Sequence, residues 1–309
     1  MKKALVVGTG SIAKKHIKIL SSLKYDVHVY SENNRSFFKK NSKILKLTKL
    51  KKLDDFAFAI IANQTSNHLR LLKLLVKEKI HIYCEKPIYH KKFNFQKLRN
   101  QIKKNKVVFH SGYQLRSDTK IKYLIKKLKT TNQLKIKSFL LSVGHDFKKW
   151  RKNGIRNDSY FANAKKGGGV IFELVHEINL IHLLFGKIKK ICSLKSNSDK
   201  FNCEDVAVSI IKMENNIIGS LYQDMFSKVF FRKIKIITNK ITFEVDMVKN
   251  TLSENNKVIK FKNINNQMDL LKRNLLLFKK RIVKKDYSLS DFETALLDLK
   301  TCLKMHNVK

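Results

Sequence analysis

Two short stretches of the chain combine residue types and spacings that can do chemistry. The first is Gly8-x-Gly10-x-x-Ala13, directly behind the apolar run Ala4-Leu5-Val6-Val7. A glycine at the first position allows a tight strand-to-helix turn. One at the second lets backbone approach a pyrophosphate, and a small third residue lets helix and strand pack closely. Ser11 and Ile12 then fall in the first helical turn, where free N–H groups and the positive end of the helix dipole favour phosphate. The pattern predicts a dinucleotide site; an ordinary strand–helix turn is the alternative. Further on, Ser31-Glu32-Asn33-Asn34-Arg35 ends the next apolar stretch, where ribose hydroxyls need a partner. Glu32 suits the diol of NAD, whereas Ser31 with Arg35 suits the 2′-phosphate of NADP, and both cofactors stay open. The second stretch, Glu85-Lys86-Pro87, holds the chain's one proline. An ammonium group at the carboxyl end of a sheet strand can hydrogen-bond a substrate hydroxyl or carbonyl and exchange its proton. Proline locks that turn and favours a cis bond before it.

These residues need strands that end side by side. Residues 3–7, 26–30, 56–61, 80–84 and 107–110 read as short buried strands, with helical patterns at 11–22, 66–79 and 94–104 between them. Alternation of this kind implies βαβ units and a parallel sheet. The pattern changes after residue 118. A helix at 118–129 and a strand at 135–143 lead into a loop, and a single helix is expected from about 168 to 185. Strands follow at 188–194, 205–213, 217–226, 229–237 and 241–247, with a weaker one at 257–262. Two helices near 268–283 and 290–305 close the chain. We therefore expect an α/β protein with a parallel-sheet domain over 1–118 and an α+β domain over 119–309, the latter built on a mostly antiparallel sheet.

Composition sharpens this reading. The 309 residues include 66 Lys and Arg against 24 Asp and Glu, for a net charge of +42. Only nine of the bases are Arg, the usual bidentate reader of phosphate and guanine, and the lysines run through the whole chain. Such a spread predicts a solvated Lys-rich surface and a positive field for anionic small molecules, and no specific nucleic-acid partner. No stretch approaches the 18 or more apolar residues of a membrane helix, so no membrane partner is expected. The basic start, Met1-Lys2-Lys3, meets an apolar run too short for a signal-peptide core. Four cysteines without C-x-x-C spacing fit a reduced, cytoplasmic protein, and no metal-ligand cluster has credible spacing. Glycine is scarce, and five of the ten glycines fall in two clusters, 8–10 and 167–169.

With these residues in view the chain resembles the glucose–fructose oxidoreductase / inositol dehydrogenase (Gfo/Idh/MocA) family over essentially its whole length. The resemblance rests on Gly8-Thr9-Gly10-Ser11-Ile12-Ala13, Ala62-Asn63-Gln64-Thr65-Ser66-Asn67-His68, Glu85-Lys86-Pro87, Gly112-Tyr113-Gln114-Leu115-Arg116, and Gly167 to Asn179 ending at Phe185-Gly186. It implies a Rossmann domain carrying NAD or NADP, and an open-faced sheet domain for substrate and oligomer contacts in a homodimer or homotetramer. It also implies hydride transfer at a carbon of a sugar, amino sugar or nucleotide sugar. Lys86 and His176 match the family's proton-handling Lys and His. Glu173 stands one residue after the family's usual Asp position, which Phe172 occupies, and is assigned to tune His176. Asn179 stands where an Asp is common and is assigned to the substrate. Trp150, Arg151 and Tyr160 resemble substrate residues of surface-sugar members. Asn63, Thr65, His68, Glu85, Gln114 and Lys86 itself join Gly8, Gly10, Ser11, Ile12, Ser31 and Glu32 on the cofactor side. On a continuous helix, His176 and Asn179 lie about 60° and 120° from Glu173, which predicts a polar stripe opposite a core face. A nicotinamide-binding protein without catalysis is the alternative, motivated by Phe172 and Asn179.

Overall fold

The computed structural model describes residues 1–32, 45–47, 49–50, 53–131, 133–146, 160–197, 202–261 and 266–307. Trp150, Arg151 and Arg35 lie outside them. The chain forms two compact units. The first comprises residues 1–114 and 266–296, the second 115–265 and 297–309.

The first unit holds β1 (Lys3–Val7), α1 (Ser11–Ser22), β2 (Asp26–Tyr30), β3 (Leu45–Leu47), β4 (Phe56–Ile61), α2 (His68–Lys77), β5 (Ile82–Cys84), α3 (Gln96–Lys104) and β6 (Phe109–Ser111). Its strands pair in the order β3-β2-β1-β4-β5-β6, all in parallel. Because β1 lies central and its neighbours leave in opposite directions, the strand order reverses beside its carboxyl end, the place where open α/β sheets bind ligands. Residues of β1 and β4 are buried on both faces, which explains their continuous apolar runs.

The second unit holds α4 (Thr119–Thr130), β7 (Ile136–Gly144), α5 (Val170–Glu173), α6 (Val175–Phe185), β8 (Ile188–Ser196), β9 (Val206–Met213), β10 (Ile218–Asp224), β11 (Phe231–Thr238), β12 (Thr242–Asp246), β13 (Thr251–Glu254) and β14 (Lys257–Val258). Its sheet runs β14-β13-β12-β11-β7-β10-β9-β8 and is antiparallel except where β7 pairs β10 in parallel. The registers put Leu140, Ser220, Ile210 and Cys192 in one cross-strand row and Ser142, Tyr222, Val208 and Leu194 in another. Both rows share one face, where Leu194 is 77 % and Ile210 65 % exposed. The other face is core: Phe139 stacks on Phe185 at 4.2 Å, and Gly219 leaves the room that Phe139 fills.

The boundary differs from the expected break at 118. α7 (Gln267–Val283) returns to the first unit, where Leu271, Leu275 and Phe278 join a core with Phe58, Tyr83 and Val6. α8 (Ser290–Asn307) divides at Leu296. Helical periodicity marks the apolar stripe of α7 but not the sheet it will cover. Three-residue β3 and four-residue β13 were also not anticipated, being too short to show alternation. Among the described residues no single helix is long and apolar enough to cross a membrane.

Candidate active site

In the first unit the turn after β1 has the shape its glycines suggest. Gly8 sits at φ +123°, and a Cβ there would stand 2.5 Å from the carbonyl oxygen of Ala62. Only glycine accepts both conditions. A Cβ on Gly10 would meet nothing within 4 Å, so that side of the turn is open. Gly10 caps α1 without a side-chain bond, and the first turn of α1 carries no acidic residue. The first turn of α1 thus offers these N–H groups neither a side-chain cap nor an acid of its own, which fits a pyrophosphate. Asn63 Oδ1 and Gln114 Oε1 are buried with no hydrogen-bond partner among the described residues, which also fits a group held beside them. At the end of β2, Ser31 lies 3.4 Å from Thr9, and the Glu32 carboxylate accepts from Arg70 at 2.7 Å on the surface. An exposed pair of this kind is weak and yields readily to a ribose diol.

The end of β5 is fixed in part by His16, which the sequence reading did not single out. Glu85 Oε1 hydrogen-bonds His16 Nε2 at 2.7 Å, both side chains buried. Gly112 makes room for this carboxylate, since a Cβ there would stand 2.8 Å from Oε2. Glu85 thus faces α1 and steadies the backbone that presents half-buried Lys86. The signal for His16 was its place on the buried stripe Ala13, His16, Ile17, Leu20, where a polar residue needs a partner. His68 is likewise a tie between loops: Nδ1 faces the carbonyl of Pro87 at 2.9 Å and Nε2 that of Asn63 at 3.2 Å. Burial pushes its pKa down. The Lys86–Pro87 bond is cis, as the sequence suggested. Thr65 begins a 3-10 turn before α2 and is buried. Burial and the nearby Glu85 charge push the Cys84 thiol well up, leaving it a small inert core residue.

In the second unit the glycine run is a packing device. Gly167, at φ +84°, ends a short 3-10 turn. A Cβ on Gly168 would stand 2.4 Å from the carbonyls of Tyr160 and Phe161. Gly169, at φ +106°, lies against the Glu204 carboxylate, 2.3 Å from where its Cβ would be. The room these glycines leave is thus taken by the chain itself. Glu204 takes up the start of α5 through its backbone carbonyl, which accepts from Val170 at 2.9 Å.

The expected single helix over 168–185 is two. Leu174 (φ −102°, ψ 34°) breaks it, and its carbonyl accepts Gln223 Nε2 of β10 at 2.9 Å. A side-chain donor at that carbonyl competes with the helical ladder, and the two segments bend by 50°. The polar stripe opposite a core face does not hold either: Glu173, His176, Glu177 and Asn179 are all buried. Tyr160 Oη lies 3.4 Å from Glu173 Oε2, and Arg232 of β11 pairs with Glu177 at 2.7 Å. The amide of Asn179 is engaged at both ends, by Arg116 and Asp298. Burial, with the charges of Glu204, Asp205 and Glu173, pushes the Cys203 thiol up to about 12. Among the described residues no three His, Cys, Asp or Glu group as a metal site would.

Known proteins agree with these features. Residues 2–113 match the oxidoreductase family model with an NAD-binding Rossmann fold, and residues 137–244 match the GFO/IDH/MocA C-terminal domain. A glucose-6-phosphate 3-dehydrogenase of Bacillus subtilis (strain 168) is 26% identical over 263 residues, covering 80% of this chain and 70% of that one. A UDP-N-acetylglucosamine 3-dehydrogenase from Acidithiobacillus ferrooxidans has a TM-score of 0.82 at 15% identity, covering 98% and 96% of the two chains. A scyllo-inositol dehydrogenase from Lactobacillus casei, with NAD(H) and scyllo-inositol bound, has a TM-score of 0.81 at 16% identity, covering 100% and 96%. The two family models together cover most of the chain: it is a member of the Gfo/Idh/MocA family of NAD-binding oxidoreductases.

Proposed function

We propose that the protein is an NAD-dependent dehydrogenase that oxidises a ring CH–OH of a sugar carrying a phosphate, as a sugar phosphate or a nucleotide sugar. The carrying observation is the α1 start, whose first turn holds no acid and no side-chain cap, in the same unit as Lys86 just after β5. Bound nicotinamide supplies the hydride chemistry. The chain's residues do the rest. Gly8, Gly10, Ser11 and Ile12 receive the pyrophosphate, Ser31 and Glu32 the adenosine ribose, and Asn63, Thr65 and Gln114 the nicotinamide end. A carboxylate at Glu32 favours the free diol over a 2′-phosphate. Lys86 holds or takes the proton at the reacting oxygen, and His176, with Glu173 in the preceding turn, is the second proton-handling group. Tyr160, Trp150 and Arg151 are assigned to the sugar. Glu85 and His68 act as supports of the cofactor loops, as their internal hydrogen bonds suggest.

Two relatives support the substrate class, since the names glucose-6-phosphate 3-dehydrogenase and UDP-N-acetylglucosamine 3-dehydrogenase both specify position 3 of a phosphate-bearing sugar. The net charge of +42 favours anions through its long-range field. The exposed rows of the second sheet, Leu194, Val208, Ile210 and Tyr222 among them, are assigned to contact with another copy in a homodimer or homotetramer, and the enzyme to the cytoplasm. The test is a fluorescence titration with NADH and NADPH, followed by initial rates with NAD and a panel including glucose 6-phosphate and UDP-N-acetylglucosamine. Tighter NADH binding and turnover of a phosphate-bearing sugar are expected. Cofactor binding with no turnover across the panel would return the non-catalytic reading.

A further inference from the structure

Asn179 stands between two charged residues of its own unit. Its Oδ1 accepts the Nε–H of Arg116 at 2.8 Å, and its Nδ2 donates to Oδ2 of Asp298 at 2.6 Å. Asn179 is 1 % and Asp298 0 % exposed, so their contact is shielded from bulk water, while the one to half-buried Arg116 is partly so. Arg116 comes from the 3-10 turn Gln114–Ser117 and Asp298 from α8. A guanidinium only donates and a carboxylate only accepts. A side chain bridging them must present an acceptor on one side and a donor on the other. The primary amide does so in one orientation; flipped, it would set N–H against N–H and oxygen against oxygen. One turn further along both helices, His182 Nε2 meets Thr301 Oγ1 at 3.0 Å. His182 Nδ1 faces the Gly186 carbonyl at 3.0 Å, so Nδ1 carries the proton and Nε2 accepts from the threonine. That second rung holds the Asp298 face of α8 in register with α6.

We propose that Asp298 is a positioning residue: it dictates an amide at position 179 and, through that amide, holds the Arg116 guanidinium. The negative charge absent from position 179 is thereby carried on the last helix instead. The pairing stands on the geometry alone; its effect on substrate rests on the function proposed above. One consequence is specific. Aspartate at 179 is disfavoured while Asp298 is present and becomes suitable once residue 298 is an amide, because donor and acceptor ends are then exchanged.

The test is a double-substitution cycle on the full chain with N179D, D298N and the two together. N179D sets two carboxylates at hydrogen-bond distance in a buried place, and its Tm is expected to fall by several degrees. D298N is expected to lose less, and the double variant to return to within about two degrees of wild type. Losses that add in the double variant overturn the pairing. Rates with NAD and glucose 6-phosphate or UDP-N-acetylglucosamine read the positioning role. N179D is expected to raise KM about tenfold with a smaller change in kcat, and the double variant to recover to within about threefold. Recovery of Tm without recovery of KM overturns the positioning role. A wild-type protein that turns over neither sugar removes the proposed function, while the Tm cycle still decides the pairing.

Discussion

The phosphate turn and the α5–α6 segment both follow glycines, yet they use them in opposite ways. Around Gly8 and Gly10 the backbone is cleared for something the chain does not itself supply: an open side at Gly10, a helix start without an acid, buried oxygens of Asn63 and Gln114 without partners. Around Gly167 to Gly169 the backbone is cleared for the chain itself. Glu204 and the Tyr160–Phe161 carbonyls fill the room, and Gln223, Arg232, Arg116 and Asp298 take up the polar groups of α5 and α6. A glycine run is therefore ambiguous until the atoms opposite it are known. Opposite Gly10 the room stays open, whereas opposite Gly168 and Gly169 it is filled by the chain's own atoms.

That contrast can be broken by substitution. The largest expected effect is at Lys86: Lys86→Ala should lower turnover by about 10²–10⁴-fold, while the NADH titration stays as in wild type. Near-normal rates in steady-state assays would remove the lysine from the reaction. Next come the two turn glycines, which should separate cleanly. Gly8→Ala meets positive φ and the Ala62 carbonyl, and should cost about 1–3 kcal/mol in denaturant titrations. Gly10→Ala has an ordinary φ and open space, so its Tm should not move, whereas its NADH affinity should fall about tenfold as the methyl group takes the ligand's place. If Gly10→Ala loses stability instead, the turn is filled from within.

In the other region the expectation reverses. Gly169→Ala, at φ +106° and against Glu204, should lower Tm by several degrees without altering NADH affinity. Smaller is the effect of Glu32→Ala, expected to weaken NADH about tenfold while leaving NADPH little changed, as paired titrations would show. The smallest is a pH effect. His306 is raised by its hydrogen bond to Glu204, 3.4 Å away, against a lesser opposing effect of burial. A raised folded-state value makes its contribution whole below the ordinary 6.5 and lost as pH climbs through the raised one. The Tm difference between wild type and His306→Ala should accordingly shrink as pH rises above 6.5. A difference that grows with pH would place the clamp elsewhere.

Much of this was legible in the sequence. The parallel strands, the turn at Gly8 and the position of Lys86 follow from local patterns, because one strand, one turn and one helix start suffice to build them. Strands β7 to β12 of the second unit are also readable to within a few residues. What escaped was long range. No periodicity says that Gln223 will take the carbonyl of Leu174 and break a helix, nor that Asp298 will face Asn179. His16 announced itself only as a polar residue on an apolar stripe, without naming Glu85. The polar residues of α6 are legible as residues, but neither their burial nor the partners that Glu177 and Asn179 find on other elements can be read from the helix alone.

The return of α7 to the first unit bears on how the chain is made. Leu271, Leu275 and Phe278 complete the core around Phe58 and Tyr83. During synthesis the first sheet emerges long before these side chains, and it must wait with part of its apolar face uncovered while the whole second sheet is translated. The second unit has its own delay, since Asp298 and Thr301 follow its sheet in the chain. Neither unit is complete until α7 and α8 have been made. Emergence of these two helices, rather than assembly of either sheet, then marks the moment at which both units close.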